Sequence, residues 1–332
     1  MKITLDSPLD MHLHLREGDL LSITVPCSSL HFSGGVVMPN LIDPVTSLDY
    51  LLNYRRAIEF YCQNTAFQPY MTLFFSAYPA DVLRQAREHI VGIKLYPAGV
   101  TTQSENGVTD FDGIEPTLAV MEELGIPLLV HGETGGFVLD REKAFLATYR
   151  RFAETFPDLH IVMEHITTAD SIDLLNRYEN LSATVTLHHL MITLDDVIGG
   201  LMNPHLFCKP VAKTPRDRDA LREAVLSGHP RIMFGSDSAP HPVDKKECSG
   251  CAAGIFSAPV ALLLLTELFE RADRLDVLQG FVSDIARTRY GLKPPMKQVT
   301  LHTKPFRVPE RYGSVRPYYG GSEIGWSVAE IR

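Results

Sequence analysis

Eight short apolar runs recur along this sequence, and most are separated by a stretch with a helical period. They are the segment from Ile3 to Leu15, GGVVMPN (Gly34 to Asn40), YMTLFFS (Tyr70 to Ser76) and VGIKLY (Val91 to Tyr96). PLLVHGE (Pro127 to Glu133), HIVMEHI (His160 to Ile166), LSATVTL (Leu181 to Leu187) and RIMFGSD (Arg231 to Asp237) follow. Most are continuously apolar rather than alternating, as strands buried on both faces of a parallel sheet are. Helices are predicted over Leu48 to Tyr61, over the segment ending at Gly125, and from an N-cap at Thr214 with Pro215 at the first position to Gly228. Eight strands alternating with helices predict an α/β fold, a (β/α)8 TIM barrel. A doubly wound open sheet is the alternative, but the Gly-x-Gly-x-x-Gly turn of a dinucleotide site is missing after the first run. From about Lys293 the chain turns rich in proline and glycine. This predicts an extended C-terminal tail (about 293–332) packed on a barrel core (about 3–292), in one domain.

Bulk properties narrow the function. A net charge of -9 with no long basic run disfavours nucleic acid and anionic membranes. The opening MKITLDSPLD meets Asp6 early and does not read as a signal peptide, and the apolar run Ala258 to Leu265 is too short to span a bilayer. A cytoplasmic protein acting on a small molecule is expected. The five cysteines, an odd count, do not suggest a disulfide framework. Cys248 and Cys251 form a lone C-x-x-C, half of a structural zinc site, and read as loop thiols.

In such barrels the chemistry sits at the C-terminal ends of the strands. Those ends supply His12, His14, Asn40, Lys94, His131, His165 and Asp237, with His241 in the following loop. If the first strand runs through DMHLHLRE, then His12, His14 and Arg16 share one face. Taken alone, a His-x-His pair reads equally well as ordinary strand histidines. Four histidines and an aspartate converging from four strands instead suit a metal site of nitrogen and oxygen donors, with room for two ions. His188 and His189 close the seventh run and read as structural or supporting residues. Lys94 lies inside an apolar run, where burial favours the neutral amine. Such an amine can take up carbon dioxide as a carbamate that bridges two metals, although a snorkelling or ion-paired lysine fits the same pattern.

The ordered set DMHLHLR, MPN, GIKLYPAGVTT, LLVHGE, EHITT and GSDSAPH resembles the amidohydrolase superfamily, and within it the class II bacterial dihydroorotases. The likeness runs from Leu5 to about Gly291 and includes the closing GWSV. It implies a zinc-dependent cyclic amide hydrolase of pyrimidine biosynthesis that interconverts dihydroorotate and N-carbamoyl-L-aspartate. It implies two zinc ions per chain, bridged by N6-carboxylysine at Lys94, with His12, His14, His131, His165 and Asp237 as ligands and Asp237 as catalytic base and acid. Arg16, Asn40 and His241 match residues that hold the substrate carboxylate. Backbone groups near Lys209 and Ala253 match those that hold the ring, and Thr101 and Thr102 fall in a mobile lid. Lys209, in CKPVAK, stands where the family pattern has an apolar residue. The family also implies a possible homodimer. A hydantoinase, an allantoinase or a non-catalytic scaffold of the same fold are the alternatives.

Overall fold

The computed structural model describes residues 1–62 and 65–332. Thirteen strands are present among them: β1 (Lys2–Asp6), β2 (Leu9–Leu13), β3 (Gly34–Val37), β4 (Gln68–Phe74), β5 (Gly92–Leu95), β6 (Leu128–Val130), β7 (Ile161–Met163), β8 (Leu181–Val185), β9 (Ile232–Phe234), β10 (Gln298–His302), β11 (Phe306–Arg307), β12 (Glu323–Ile324) and β13 (Ser327–Ile331). Strands β2 to β9 form one sheet in chain order, each parallel to the next. The two outer strands meet just beyond β9, where Leu13 bridges Ser238 and the Asp237 N–H donates to the His12 carbonyl at 2.8 Å. The predicted eight-stranded α/β barrel is the fold observed.

The predicted helices form for local reasons that the sequence carries. Ser47 caps the helix Leu48–Tyr61 by accepting from the Tyr50 N–H. Gly125, at φ +63, ends the helix Glu115–Leu124 in the left-handed region that glycine tolerates. Thr214 and Asp217 form a reciprocal capping box for the helix Pro215–Leu226. Leu9, Met11, Val36, Tyr70, Leu129, Val162 and Met233 fill the barrel interior. Ile285, Tyr290 and Leu292 pack against that cluster. A much larger apolar layer separates the strands from the surrounding helices.

The first run departs from expectation. Ile3 to Leu15 is not one strand but two, in different sheets. Ser7, at φ +45, and Pro8 break the run. Proline has no N–H for a ladder, and the Ser7 N–H donates instead to the Lys297 carbonyl at 2.7 Å. Strand β1 therefore leaves the barrel and pairs antiparallel with β10, which also pairs with β13. The tail is correspondingly more regular than the extended segment expected: it supplies β10 to β13, and its Trp326 indole donates to Glu270 at 2.7 Å. Among the described residues no helix is long and apolar enough to cross a membrane.

Candidate metal centre

The barrel strands stop earlier than the apolar runs that predict them. Strand β6 ends at Val130, β7 at Met163 and β9 at Phe234. Residues just beyond aim side chains into the barrel mouth, although His131 keeps a backbone bond from its N–H to the Leu95 carbonyl at 3.0 Å. Two of them have unusual backbones: His165 at φ +40 and Asp237 at φ +41. Each is held by its surroundings. The buried Glu142 carboxylate accepts from the N–H groups of Thr167 and Thr168 and from the Ser171 hydroxyl, pinning the loop after His165. Asp10 likewise accepts from the Ser236 N–H at 2.8 Å, just before Asp237. Gly235 lets the chains approach there, since a Cβ would lie 2.9 Å from those of His12 and Thr184.

Strand alternation, which the sequence suggested for His12, His14 and Arg16, holds only in part. His12 lies within β2, which ends at Leu13, and the His14 N–H still donates to the Ser238 carbonyl at 3.0 Å. Arg16 lies beyond, at φ +63. His188 and His189 also fall beyond their strand, in the short helix Leu187–Met191.

The expected ligands converge. His14 Nε2 lies 3.0 Å and His12 Nε2 3.5 Å from Asp237 Oδ1, and the three are buried. On the other side, His131 Nδ1 and His165 Nε2 are 3.1 Å apart. Donors around a tetrahedral zinc sit about 3.3–3.6 Å from one another, given bonds of about 2.0–2.2 Å, so both groups are close to the spacing an ion would impose. Two glutamates that the sequence reading missed set the ring orientations. His12 Nδ1 donates to Glu164 at 2.7 Å and His131 Nε2 to Glu133 at 2.8 Å, leaving His12 Nε2 and His131 Nδ1 with free lone pairs at the mouth. Both glutamates stand inside the motifs EHITT and HGE, each adjacent to or one residue from a histidine, so the signal was present.

Electrostatics favour the metal-ready forms. Burial pushes His14 down to about 3 and lowers His131 and His165 as well, so all three are neutral. For Asp237 burial works upward, but the His14 hydrogen bond and the charges of His12 and His14 hold it well below the usual carboxylate range. Glu164 shows the same balance, burial raising it and His12 and Lys94 bringing it lower overall. Lys94 is fully buried, its Nζ has no hydrogen-bond partner among the described residues, and burial pushes it down to about 8 against the pull of Glu164 and Asp237. An orphaned amine among carboxylates and imidazoles fits a lysine that carries a further group.

A small cavity, about 20 Å³, opens over these ligands. Arg16, Asn40, Thr101, Thr102, Lys209 and Ala253 line it beside His12, His14, His131, His165 and Asp237. Asn40 donates to the Thr102 carbonyl at 3.2 Å, joining the cavity wall to the loop above it. Lys94 lies beneath, and His241 borders a neighbouring groove while contacting Arg16 Nη2 at 3.0 Å and the Ala253 carbonyl at 3.1 Å. His188, His189 and Cys208 form a second buried trio, adding a soft donor that the strand-end reading left out. Cys248 is exposed, and neither it nor Cys251 joins a ligand trio among the described residues.

Comparison with known proteins agrees with this geometry. The amidohydrolase family model matches residues 54–262. A dihydroorotase of Helicobacter pylori is 44% identical, with 100% of each chain covered. Among solved structures, a dihydroorotase from Campylobacter jejuni superposes with a TM-score of 0.95 at 50% identity, covering 99% of this chain and 98% of its own. A dihydroorotase from Saccharomyces cerevisiae, crystallised with 5-fluoroorotic acid, gives 0.92 at 35% identity, covering 98% of both chains. Together, the eight-stranded barrel, its histidine–aspartate mouth and this full-length similarity show that the chain belongs to the dihydroorotase family of the metal-dependent amidohydrolases.

Proposed function

We propose that this chain interconverts (S)-dihydroorotate and N-carbamoyl-L-aspartate, a step of de novo pyrimidine synthesis, as the names of its relatives suggest. The observation that carries the substrate is Arg16. Its guanidinium is buried on the cavity shared by His12, His14 and Asp237. Among the described residues its side chain bonds to the Pro240 carbonyl and His241, and no carboxylate pairs with it. A buried cation without a protein anion is suited to an anionic ligand. Dihydroorotate offers a ring carboxylate, which hydantoins and allantoin lack at that position. Asn40, whose Nδ2 carries a second N–H beyond the one given to the Thr102 carbonyl, and His241 complete the carboxylate site.

Zinc is the metal proposed, two ions per chain; when bound, they supply Lewis acidity that acidifies water and polarises a carbonyl. His12, His14 and Asp237 would hold one ion, and His131 and His165 the other. The neutral amine of Lys94 adds to carbon dioxide, forming an N–C bond and releasing one proton. The resulting N6-carboxylysine would present two oxygens and one negative charge as further metal donors. Asp237 takes a proton as water adds to the ring carbonyl and delivers it to the departing ring nitrogen. Backbone groups near Lys209 and Ala253 hold the ring, while Thr101 and Thr102 belong to a lid that excludes water. The chain works as one domain, core and tail together, in a cytoplasmic homodimer.

The test is a substrate panel with a metal count. The purified chain should turn over dihydroorotate but neither hydantoin nor allantoin, and carry about two zinc ions. Hydantoin turnover without dihydroorotate turnover would overturn the assignment.

A further inference from the structure

Lys246 belongs to none of the groups described so far, yet it is 3% exposed. Its Nζ donates to three carbonyls: Phe207 at 2.9 Å, Ala252 at 2.7 Å and Gly254 at 2.8 Å. An ammonium has three N–H donors, so all three are satisfied. Among the described residues no carboxylate lies within ion-pair distance of it; the three carbonyls and the Phe207 ring, 5.9 Å away, face the charge.

Those carbonyls come from the two backbone stretches that wall the cavity. Phe207 lies two residues before Lys209, and Ala252 and Gly254 flank Ala253. Lys209, Ala253 and Gly254 all line the cavity. The stretches also touch directly, the Gly254 N–H donating to the Phe207 carbonyl at 2.9 Å. In an extended segment successive carbonyls point to opposite sides. With the carbonyls of 252 and 254 drawn to Lys246, the carbonyl of Ala253 turns the other way and lies 3.1 Å from His241 Nε2. No residue with a side chain fits in place of Gly254. It sits at φ +151, and a Cβ there would lie 2.4 Å from the Ala239 carbonyl.

We infer that Lys246 is a positioning residue for ring recognition. By gathering three carbonyls onto one ammonium it fixes the two wall segments relative to each other, and so aims the peptide groups at 209 and 253 across the cavity. The inference rests on the reading above in which those peptide groups hold the ring. Lys246 touches neither the substrate nor the proposed metal ligands, so its loss should be felt in binding and not in the chemical step.

The experiment measures KM and kcat for dihydroorotate, metal per chain and the thermal midpoint in the wild type, Lys246→Met and Lys246→Arg. Lys246→Met keeps the apolar stem and removes every donor. Its KM should rise about tenfold, the cost of roughly one misaligned hydrogen bond. Its kcat should stay within about threefold, with both metals retained. Lys246→Arg restores charge and donors from a different geometry and should recover part of the lost affinity; it also serves if the methionine variant does not fold. A lower thermal midpoint with unchanged KM in the folded variants would make Lys246 a structural clamp only and overturn the inference. If the wild type itself does not turn over dihydroorotate, the functional assignment fails instead.

Discussion

Lys94, in the barrel mouth, and Lys297, where the tail meets the opposite end of the barrel, are both buried, and burial pushes both down to about 8. Their surroundings differ completely. Lys297 Nζ donates to the carbonyls of Ser29 at 2.5 Å and Phe32 at 2.6 Å, with Leu30 at 3.5 Å. These groups lie at and just past the C-terminal end of the helix Leu21–Ser29, where the helix dipole also favours a cation. Among the described residues Lys94 has no such cage and no hydrogen-bond partner, only the Tyr96 ring 5.0 Å away. One lysine is committed as a donor, and its lone pair is out of use. The other keeps that lone pair available, and burial favours its neutral amine. A buried charge with its donors satisfied is architecture, whereas one left unsatisfied is an opening for chemistry.

Replacing Lys94 should break the comparison most severely. Lys94→Ala is expected to carry fewer than one metal per chain and to lose about 10³-fold or more in kcat, because the proposed bridge disappears with the amine. Metal analysis beside steady-state kinetics tests this; two retained ions with full activity would reduce Lys94 to an ordinary core lysine.

Asp237 comes next. Ring opening makes a second carboxylate and releases a proton near neutral pH, so the equilibrium shifts about tenfold toward carbamoyl aspartate per pH unit. The two rates must divide that shift. Opening requires a proton acceptor and should rise with pH to a plateau, while closure requires the protonated site and should fall. The apparent pKa values belong to the coupled site and not to one residue. Asp237→Asn should lose about 10²–10⁴-fold in both directions together. Measured across about pH 5 to 10, profiles that climb together, or a variant that spares one direction, would remove the proposed proton shuttle.

How much of this was legible from the sequence depends on the range of the interaction. The barrel was readable because buried parallel strands leave continuous apolar runs, and seven of the eight runs overlie a barrel strand closely. The eighth, Ile3 to Leu15, was misread because apolarity does not say which sheet a strand joins; Ser7 and Pro8 mark the change only in retrospect. The tail strand β10 finds its partner β1 almost the full length of the chain away, and no local pattern encodes such a pairing. In the mouth, histidines and Asp237 stood out by residue type and position. Glu164 and Glu133 did not, since an acidic residue beside a histidine is common and its role appears only when the ring nitrogen faces it. Lys246 was the least visible, sitting in a Lys-Lys pair that reads as solvated surface.

Arg16 offers a smaller and more selective effect. Arg16→Met should raise KM for dihydroorotate about 10–100-fold, as a charge-assisted contact of roughly 1.5–3 kcal/mol is lost. Metal content should be unchanged, since Arg16 is outside the donor set. Kinetics indistinguishable from the parent would take Arg16, and with it the carboxylate argument, out of the site.

Lys297 should give the smallest catalytic effect, and that is what sharpens the comparison. Lys297→Met leaves the carbonyls of Ser29, Leu30 and Phe32 without their donor, at about 1–3 kcal/mol for each buried group left unsatisfied. Removing a buried ammonium repays part of this, so a net loss of about 1–3 kcal/mol in unfolding free energy is expected. KM, kcat and metal content should match the parent, in contrast to Lys94→Ala. The pH dependence separates the two contributions. A lysine whose folded value is near 8, below the ordinary 10.5, binds fewer protons folded than unfolded between those limits. Stability then rises with pH across that window, the cost of the buried ammonium being fully present below about 8 and relieved above 10.5. Lys94 and Lys246 contribute the same sign, so the quantity to measure is the difference between Lys297→Met and its parent. By chemical denaturation from pH 7 upward, the variant's stability deficit should grow as pH rises through that window, because only the parent gains there from Lys297. A constant deficit would mean that the carbonyl cage fully offsets the burial of the charge, and a variant that also lost metal would show that the two ends of the barrel are not independent.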